Sequence, residues 1–128
     1  LIQAYGLDPS LGQTFDDGFG KWFSVTDLSS EGLLNNMPAI VKGAALPDTI
    51  QKIGFCAGSG NGLVTDVIAS QLDVFVTGEC SYHTSLSCEM NGVSVLCLGH
   101  KESEVVVLPE IQRRLLRHFP DLSIDILS

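Results

Sequence analysis

Three short apolar runs that each end at a glycine constrain the fold of this chain more than any other feature. The closing glycines, 20 and 21 positions apart, follow the runs 53–57, 74–77 and 93–98 and are Gly58, Gly78 and Gly99. Short runs rich in valine, isoleucine and phenylalanine and bounded by glycine are typical of buried strands. Stretches with helical periodicity, 62–72 and 81–91, separate them. Strands that alternate with helices are joined by right-handed crossovers, so we expect an α/β fold with a mainly parallel or mixed sheet.

The strand–helix repeat occupies residues 51–128, and residues 1–50 form a less regular lead-in. We expect both to belong to one compact domain. After the repeat we predict a helix at 107–118, closed by Pro120, and a last strand at 122–127, where apolar and polar residues alternate.

For the lead-in, the pattern predicts the end of a helix at 1–5, a loop, and a strand near 20–27. A helix at about 29–42 follows, with Ser29 or Ser30 as its N-terminal cap, since serine side chains accept hydrogen bonds from the first free N–H groups.

The composition excludes several classes of protein. Of the 128 residues, 45% are hydrophobic and 17% are charged, which excludes disorder as the main state. The net charge of −8 is not that of a protein that binds nucleic acid or an anionic membrane surface. No apolar run approaches the roughly 20 residues that span a bilayer. The four cysteines form no CxxC pair, so we interpret them as reduced thiols and predict a cytoplasmic location.

The start of the chain carries neither an initiator methionine nor a secretory signal. Residue Leu1 is not a methionine, and the segment after it has neither the basic region nor the apolar core of a signal peptide. We interpret Leu1 as an internal position of a longer protein or as a processed start.

A polar cluster follows each of the three predicted strands. The first cluster is a glycine-rich loop, the second runs from an acid to a histidine, and the third runs from a histidine to an acid. They are Gly58, Ser59, Gly60, Asn61 and Gly62, then Glu79 to His83, then His100 to Glu104. In open α/β sheets, ligands bind outside the carboxyl ends of the strands, so these clusters are the candidate site.

The glycine-rich loop at 58–62 has two interpretations. A strand, a glycine loop and a helix N-terminus can bind an anion such as phosphate or a carboxylate through backbone N–H groups. However, the loop matches neither the GxGxxG nor the Walker pattern. The alternative is a tight turn that needs a positive φ or comes close to a neighbouring site.

Two carboxylate–imidazole pairs stand four residues apart. On one helical turn, His100 and Glu104 would lie on the same face, where imidazole and carboxylate suit zinc, iron or manganese. Glu79 and His83 have the same spacing and could be further ligands, orienting partners or an acid–base pair. The alternatives are an ordinary surface pair for the first, and for the second a helix-start acid with a hydrogen-bonded histidine.

Three motifs in this order, FCAGSGNGLV, TGECSYH and GHKESE, resemble the carboxyl-terminal part of the Nif-three-like family. Members of that family are called GTP cyclohydrolase 1 type 2 homologues or dinuclear metal-binding proteins. The resemblance is strong over 51–128 and looser over 1–50. It implies a two-lobed α/β fold that holds two divalent metal ions between its halves.

The resemblance also implies roles for individual residues. His100 and Glu104 would be metal ligands, while Glu79 and His83 would line the same pocket. The remaining family ligands, two histidines and an aspartate, come from an amino-terminal part that has no match here. The resemblance therefore implies that this chain carries half of a dinuclear site.

Three functions follow as expectations. The first, implied by the resemblance, is a metal-dependent hydrolase that acts on a nucleotide-like small molecule, with Glu79 or His83 as the acid–base group. The second is a non-catalytic interaction or regulatory protein that binds a protein partner or forms a ring-shaped homo-oligomer. The third is a metal-independent module that binds an anion through the loop at 58–62.

Overall fold

The sheet at the centre of the structure has six strands in the order β1-β2-β4-β5-β6-β3. The structure is a computed structural model, and it describes residues 1–16, 18–35, 42–43 and 45–127. The strands are β1 Gln13–Thr14, β2 Lys21–Ser29, β3 Lys42–Gly43, β4 Thr49–Ser59, β5 Val74–Glu79 and β6 Ser94–Cys97.

Helices connect the strands and follow the last one. The α-helices are α1 Ser30–Asn35, α2 Val64–Ala69, α3 Tyr82–Met90, α4 His100–Val105 and α5 Leu108–His118, and short 3-10 turns lie at Ile2–Tyr5, Pro9–Leu11 and Asn61–Leu63. The predicted cap of α1 is present, and α3 has a serine cap that the sequence analysis did not name. Ser29 Oγ accepts a hydrogen bond from the N–H of Gly32, and Ser81 Oγ accepts one from Thr84 where α3 begins.

The predicted α/β class with a mainly parallel or mixed sheet is confirmed. Strands β4, β5 and β6 are parallel neighbours, with Phe55 opposite Val76 and Val76 opposite Leu96. The pairs β1–β2, β2–β4 and β3–β6 are antiparallel, so the sheet is mixed. The three strands predicted from apolar runs are therefore the parallel part of the sheet, which is the part that collects its carboxyl ends at one edge.

Side chains alternate between two apolar clusters on the two faces of the sheet. In β5, Phe75 packs with the cluster that contains Val67 of α2 and Cys88 of α3, whereas Val74 and Val76 pack with the opposite cluster, which contains Phe55. Successive residues of a strand point to opposite faces, so a strand buried on both faces reads as a continuous apolar run. This explains why these strands were visible in the sequence.

Three predicted boundaries are wrong. The helix predicted over 29–42 ends at Asn35 within the described residues, and Lys42 lies in a strand; residues 36–41 lie outside the described part. The helix predicted over 62–72 begins with a 3-10 turn and ends at Ala69, and Gln71 then takes a positive φ of 52°. The loop predicted before the first strand contains β1.

The last strand, predicted over 122–127, is also wrong. These residues form no strand, and Gln112 Nε2 of α5 donates to the carbonyl of Ile124 at 2.6 Å. Alternation of apolar and polar residues reports a preference for extended backbone, but a strand also needs a neighbouring strand with free N–H and C=O groups. In the described residues this segment has no such neighbour.

In the part of the chain that the structure describes, no helix is both long and apolar enough to cross a membrane.

Candidate functional site

The three polar clusters predicted from the sequence meet at the carboxyl edge of the parallel strands. Gly58 is near the end of β4, Glu79 is the last residue of β5, and His100 begins α4 three residues after the end of β6. Their backbones are tied together, since Gly60 N–H donates to Glu79 C=O at 2.9 Å and Gly99 N–H donates to Gly78 C=O at 2.8 Å. The parallel register therefore brings together residues that are more than forty positions apart.

His100 is the centre of this cluster. With Nδ1 protonated, its ring donates to Glu79 Oε1 at 2.9 Å, and its Nε2 lies 3.2 Å from Glu104 Oε1. Glu104 follows His100 by one turn of α4, as its spacing predicted. All three side chains are about half exposed. The site is therefore an open surface cluster rather than a buried ion pair.

The two carboxylates change the protonation of His100. The hydrogen bond to Glu79 and then the charge of Glu104 raise the pKa of His100 above its usual value of 6.5. The cause is that both carboxylates favour the charged imidazolium. A divalent cation needs the neutral ring, so metal binding at this residue would have to displace a proton.

Gly58 packs against the same cluster. Its φ is +69°, and a Cβ atom at this position would lie 2.8 Å from Glu104 Oε1 and 3.6 Å from His100 Nε2. Only glycine adopts this positive φ without strain and has no Cβ atom to crowd the two side chains. The side chains of His100 and Glu104 therefore pack directly against the backbone of β4 at Gly58.

Ser103, which the sequence reasoning did not single out for a role, fixes the backbone of Gly58 relative to that of His100. It is buried, with 1% exposure; its hydroxyl accepts from Gly58 N–H at 2.9 Å and donates to His100 C=O at 2.8 Å. Thr77 adds a second support by donating to Gly58 C=O at 3.3 Å. Gly78 is required next to them, since a Cβ there would overlap Ser103 Oγ. The sequence signal for this supporting role was a small hydroxyl residue three positions after His100, on the side of the helix that faces the sheet.

His83 does not join the cluster. It lies in the first turn of α3, exposed, and its ring packs edge-to-face against Tyr82 at a centroid distance of 5.8 Å. Glu79 ends β5 and is not on that helix, so the spacing of four does not place the two side chains on one helical face. Among the described residues, no hydrogen bond or ion pair joins His83 to Glu79, His100 or Glu104.

The glycine-rich loop uses several of its polar groups inside the fold. The N–H groups of Gly58 and Gly60 donate to Ser103 and Glu79, as described above. Asn61 Oδ1 accepts from Ser81 N–H at 2.7 Å, and Asn61 Nδ2 donates to Ser59 Oγ at 3.1 Å. These bonds tie the loop to the start of α3. Anion binding stays a prediction that would depend on the remaining N–H groups, including that of Gly62.

The arrangement of His100 and Glu104 fits two ligands of one metal ion. Metal–ligand bonds of about 2.0–2.2 Å put neighbouring ligand atoms roughly 3 Å apart, close to the 3.2 Å between Nε2 and Oε1. Glu79 on Nδ1 is the kind of partner that orients a ligating histidine. However, the described residues contain no group of three or more histidine, cysteine, aspartate or glutamate side chains placed to hold a metal ion.

A cavity of about 340 Å³ lies away from this cluster. Its lining includes Val25, Leu33 and Phe55, and none of the three cluster residues borders it. Tyr5 also lines it, with a buried hydroxyl that has no hydrogen-bond partner among the described residues. Burial raises the pKa of Tyr5 to about 12. The sequence reasoning did not point to this cavity.

Comparison with known proteins gives relatives from yeast, bacteria and archaea. The chain is 27% identical to the NGG1-interacting factor 3 of Saccharomyces cerevisiae, over 91% of this chain and 45% of that protein. It is 42% identical to a GTP cyclohydrolase 1 type 2 homolog of Campylobacter jejuni, over 43% of this chain and 22% of that protein. This chain therefore spans less than half the length of these relatives.

A solved structure, reduced HcgD from Methanocaldococcus jannaschii, has the same fold. It superposes on 99% of this chain and 52% of its own with a TM-score of 0.69 and 23% identity. The family described as Duf34/NIF3 (NGG1p interacting factor 3) matches residues 24–128, which include all three motifs of the cluster. The resemblance seen in the sequence is thus confirmed, and the chain belongs to the Duf34/NIF3 family.

Proposed function

We propose that this chain supplies half of a divalent-metal site, with His100 and Glu104 as ligands and Glu79 as the residue that orients His100. The observation that carries the proposal is the pair of contacts made by one imidazole, 2.9 Å to Glu79 and 3.2 Å to Glu104. A ring whose Nδ1–H is donated to a carboxylate presents the lone pair of Nε2 to a cation.

The metal site needs ligands from beyond the described residues, since these offer two ligands and an orienting partner. This agrees with the dinuclear site implied by the family resemblance, in which zinc, iron or manganese ions lie between two halves. A site with two ligands binds weakly, so this chain alone should have low affinity for divalent metal ions.

The reaction we propose is metal-dependent hydrolysis of a nucleotide-like small molecule. Its support is the name of relatives such as the Campylobacter jejuni GTP cyclohydrolase 1 type 2 homolog. Divalent ions supply such a reaction with a water of lowered pKa and a positive charge for the electron-rich group of the substrate. The residues of this chain would orient the ligands, and the exposed carboxylate of Glu79 or the imidazole of His83 would accept or donate the proton.

Metal binding by purified protein tests this proposal. Titration with a large excess of Co²⁺ compensates for the weak binding of a two-ligand site. The visible absorption of Co²⁺ reports nitrogen and oxygen ligands, and it should give a spectrum that is lost in the His100→Ala and Glu104→Ala variants. Lys101→Ala is the matched control, because Lys101 is exposed on the same helix turn and should leave binding unchanged. Equal Co²⁺ binding by the wild-type protein and the His100→Ala variant would contradict the assignment.

A second function, assembly with another copy of this chain, is favoured by the surface of α5. No residue of this helix is buried, and Ile111 and Leu115 on one side, followed by Phe119 at its end, are 44%, 40% and 56% exposed. Exposed apolar residues at such spacing are typical of a helix that packs against a partner. We therefore propose the predicted homo-oligomer, with α5 at the contact.

Light scattering tests this second function. A Leu115→Asp variant should have a smaller mass in solution than the wild-type protein, because the charge would lie in the apolar contact. Arg117→Asp, on the same helix but outside the apolar side, is the control. An unchanged mass in Leu115→Asp would contradict a contact through α5.

The location we propose is the cytoplasm. The support for it is the sequence, whose four cysteines form no CxxC pair, a pattern we interpret as the reduced thiols of a reducing compartment.

A further inference from the structure

Two cysteine side chains meet beside the cluster. The sulfur atoms of Cys80 and Cys97 are 3.5 Å apart. Cys97 is the last residue of β6 and is buried, whereas Cys80 directly follows β5 and is partly exposed. We propose that these two residues are a redox modification site, at which a small-molecule disulfide such as oxidised glutathione converts the pair of thiols into an intramolecular disulfide.

The positions of the two cysteines suit this reaction. A disulfide needs its sulfur atoms about 2.05 Å apart, so the pair must close by roughly 1.5 Å. Cys97 is held in the sheet opposite Thr77, whose carbonyl also accepts from Leu98 N–H at 2.9 Å. Cys80 stands between β5 and Ser81, the cap of α3, outside the strand pairing. The movement therefore falls to Cys80, in the connection between strand and helix.

Cys56 is too far from Cys97 to form a disulfide with it, and Cys88 is closed to an oxidant in solution. Cys56 and Cys97 are both opposite Thr77 on either side of β5, so two strand spacings of about 4.8 Å separate their backbones. That separation of roughly 10 Å exceeds the limit of about 7 Å between Cα atoms for a disulfide. Cys88 has no exposed surface, so an oxidant in solution does not reach it. The sulfur–sulfur contact of 3.5 Å is therefore the observation that assigns the bond to Cys80 and Cys97.

The reaction balances as two thiol–disulfide exchanges. The Cys80 thiolate attacks one sulfur of oxidised glutathione, which forms a mixed disulfide and releases one glutathione thiolate. The Cys97 thiolate then attacks the Cys80 sulfur and releases the second glutathione. The two cysteines lose two electrons, the glutathione disulfide gains them, and the two protons from the cysteine thiols end on the released glutathione molecules.

A disulfide between Cys80 and Cys97 would make the geometry of the neighbouring cluster depend on the redox state of its surroundings. Cys80 is the neighbour of Glu79, which holds the ring of His100. Disulfides in cytosolic proteins are usually transient and sense oxidants. The modification does not depend on the proposed metal site, because neither Cys80 nor Cys97 is one of the proposed metal ligands.

Mass spectrometry of the oxidised protein tests the assignment. After treatment with oxidised glutathione and blocking of the remaining thiols under denaturing conditions, we expect two blocked cysteines instead of four, and a peptide link between Cys80 and Cys97. The Cys80→Ser variant should form no such link, whereas the Cys88→Ser control should form it as the wild-type protein does.

The Cys97→Ala variant keeps the test decisive, since it stops the reaction at its first step. It should accumulate the mixed disulfide at Cys80 and become about 305 Da heavier, the mass that one glutathione adds. Four blockable thiols after oxidation of the wild-type protein, a link that involves Cys56 or Cys88, or a bond between two chains would each overturn the proposal.

Discussion

At the scale of single residues, the cluster depends on contacts made by one imidazole and one hydroxyl. His100 has a carboxylate on each ring nitrogen, and Ser103 connects the backbone of His100 to that of Gly58. The contacts of His100 with the two carboxylates set the charge of the site, and the contacts of Ser103 with the backbone set its geometry. Each can be removed by changing a single side chain.

Replacing Glu79 should lower the pKa of His100. The hydrogen bond to Glu79 is the largest cause of the raised value, so in Glu79→Gln the pKa of His100 should move down towards 6.5. NMR titration of the His100 ring protons measures this, and His118, on α5, is an internal control. A titration midpoint that is the same in both proteins would contradict the role of Glu79.

The raised pKa of His100 also makes the stability of the protein depend on pH. Because the folded-state pKa of His100 lies above the unfolded value of 6.5, the contribution of its contacts is fully present below pH 6.5 and is lost as the pH rises through the folded pKa.

Removing the hydroxyl of Ser103 should destabilise the fold. Ser103→Ala leaves the N–H of Gly58 and the C=O of His100 without their partner in a buried place, which costs about 1–3 kcal/mol of unfolding free energy. Urea denaturation measures this loss. Ser87→Ala, on the exposed face of α3, should change the unfolding free energy by less than about 0.5 kcal/mol. Equal stabilities of the two variants would show that Ser103 does not support the loop.

At the scale of elements, α4 and α5 follow one another but differ in what holds them. Helix α4 packs over the ends of β4 and β5 through Ser103, whereas α5 has no buried residue. Its charged groups interact along its own surface. Glu110 accepts hydrogen bonds from Arg113 at 2.7 Å and from Arg114 at 2.7 Å. The stability of α5 should therefore depend on pH in the acid range, through Glu110.

Acid should weaken α5 through Glu110. Hydrogen bonds from Arg113 and then Arg114 lower the pKa of Glu110 to about 2. A lowered folded-state pKa means that the contribution is present above the unfolded value of 4.5 and is lost as the pH falls from 4.5 through about 2.

Carbon-13 NMR of the Glu110 carboxyl measures its titration, and circular dichroism follows the helix over the same pH window. In the Glu110→Gln variant, the loss of helix between pH 4.5 and about 2 should be smaller than in the wild-type protein. Glu31→Gln, on α1, is the control. An ordinary titration midpoint for Glu110 would rule out the arginine contacts in solution.

At the scale of the whole molecule, β5 is the strand on which both faces of the fold depend. It lies between β4 and β6, and its residues 74–78 are all buried. Phe75 faces α2 and α3, packs edge-to-face against Phe15, and is 1% exposed. Because the same strand ends at Glu79, the core and the cluster are parts of one cooperative unit.

Cutting back Phe75 should therefore destabilise the whole protein. Phe75→Ala should lower the unfolding free energy by about 3–5 kcal/mol, since it removes a fully buried ring and leaves a cavity. Thermal unfolding followed by circular dichroism measures the loss. Thr14→Ala, in the exposed edge strand β1, should cost less than about 0.5 kcal/mol. A loss confined to α2 and α3, with the cluster intact by NMR, would contradict this cooperativity.

The local pattern of the chain determined the parallel strands, the α/β class, the family and the meeting of His100 with Glu104. Each depends on residues close together in the sequence, where a run of buried side chains or a spacing of four has one dominant geometry. The sequence also pointed to Glu79, but it paired Glu79 with His83 by a helical spacing of four. That spacing does not apply, because the helix that contains His83 begins only after Glu79.

Only the tertiary structure decided which distant groups share a site. The parallel register set Glu79 beside His100, Ser103 beneath Gly58, and Cys80 against Cys97. It also left residues 122–127 without a neighbouring strand. The physical reason is that a hydrogen-bonded strand pair or a contact between side chains needs a second partner. A local pattern carries no information about where that partner lies along the chain.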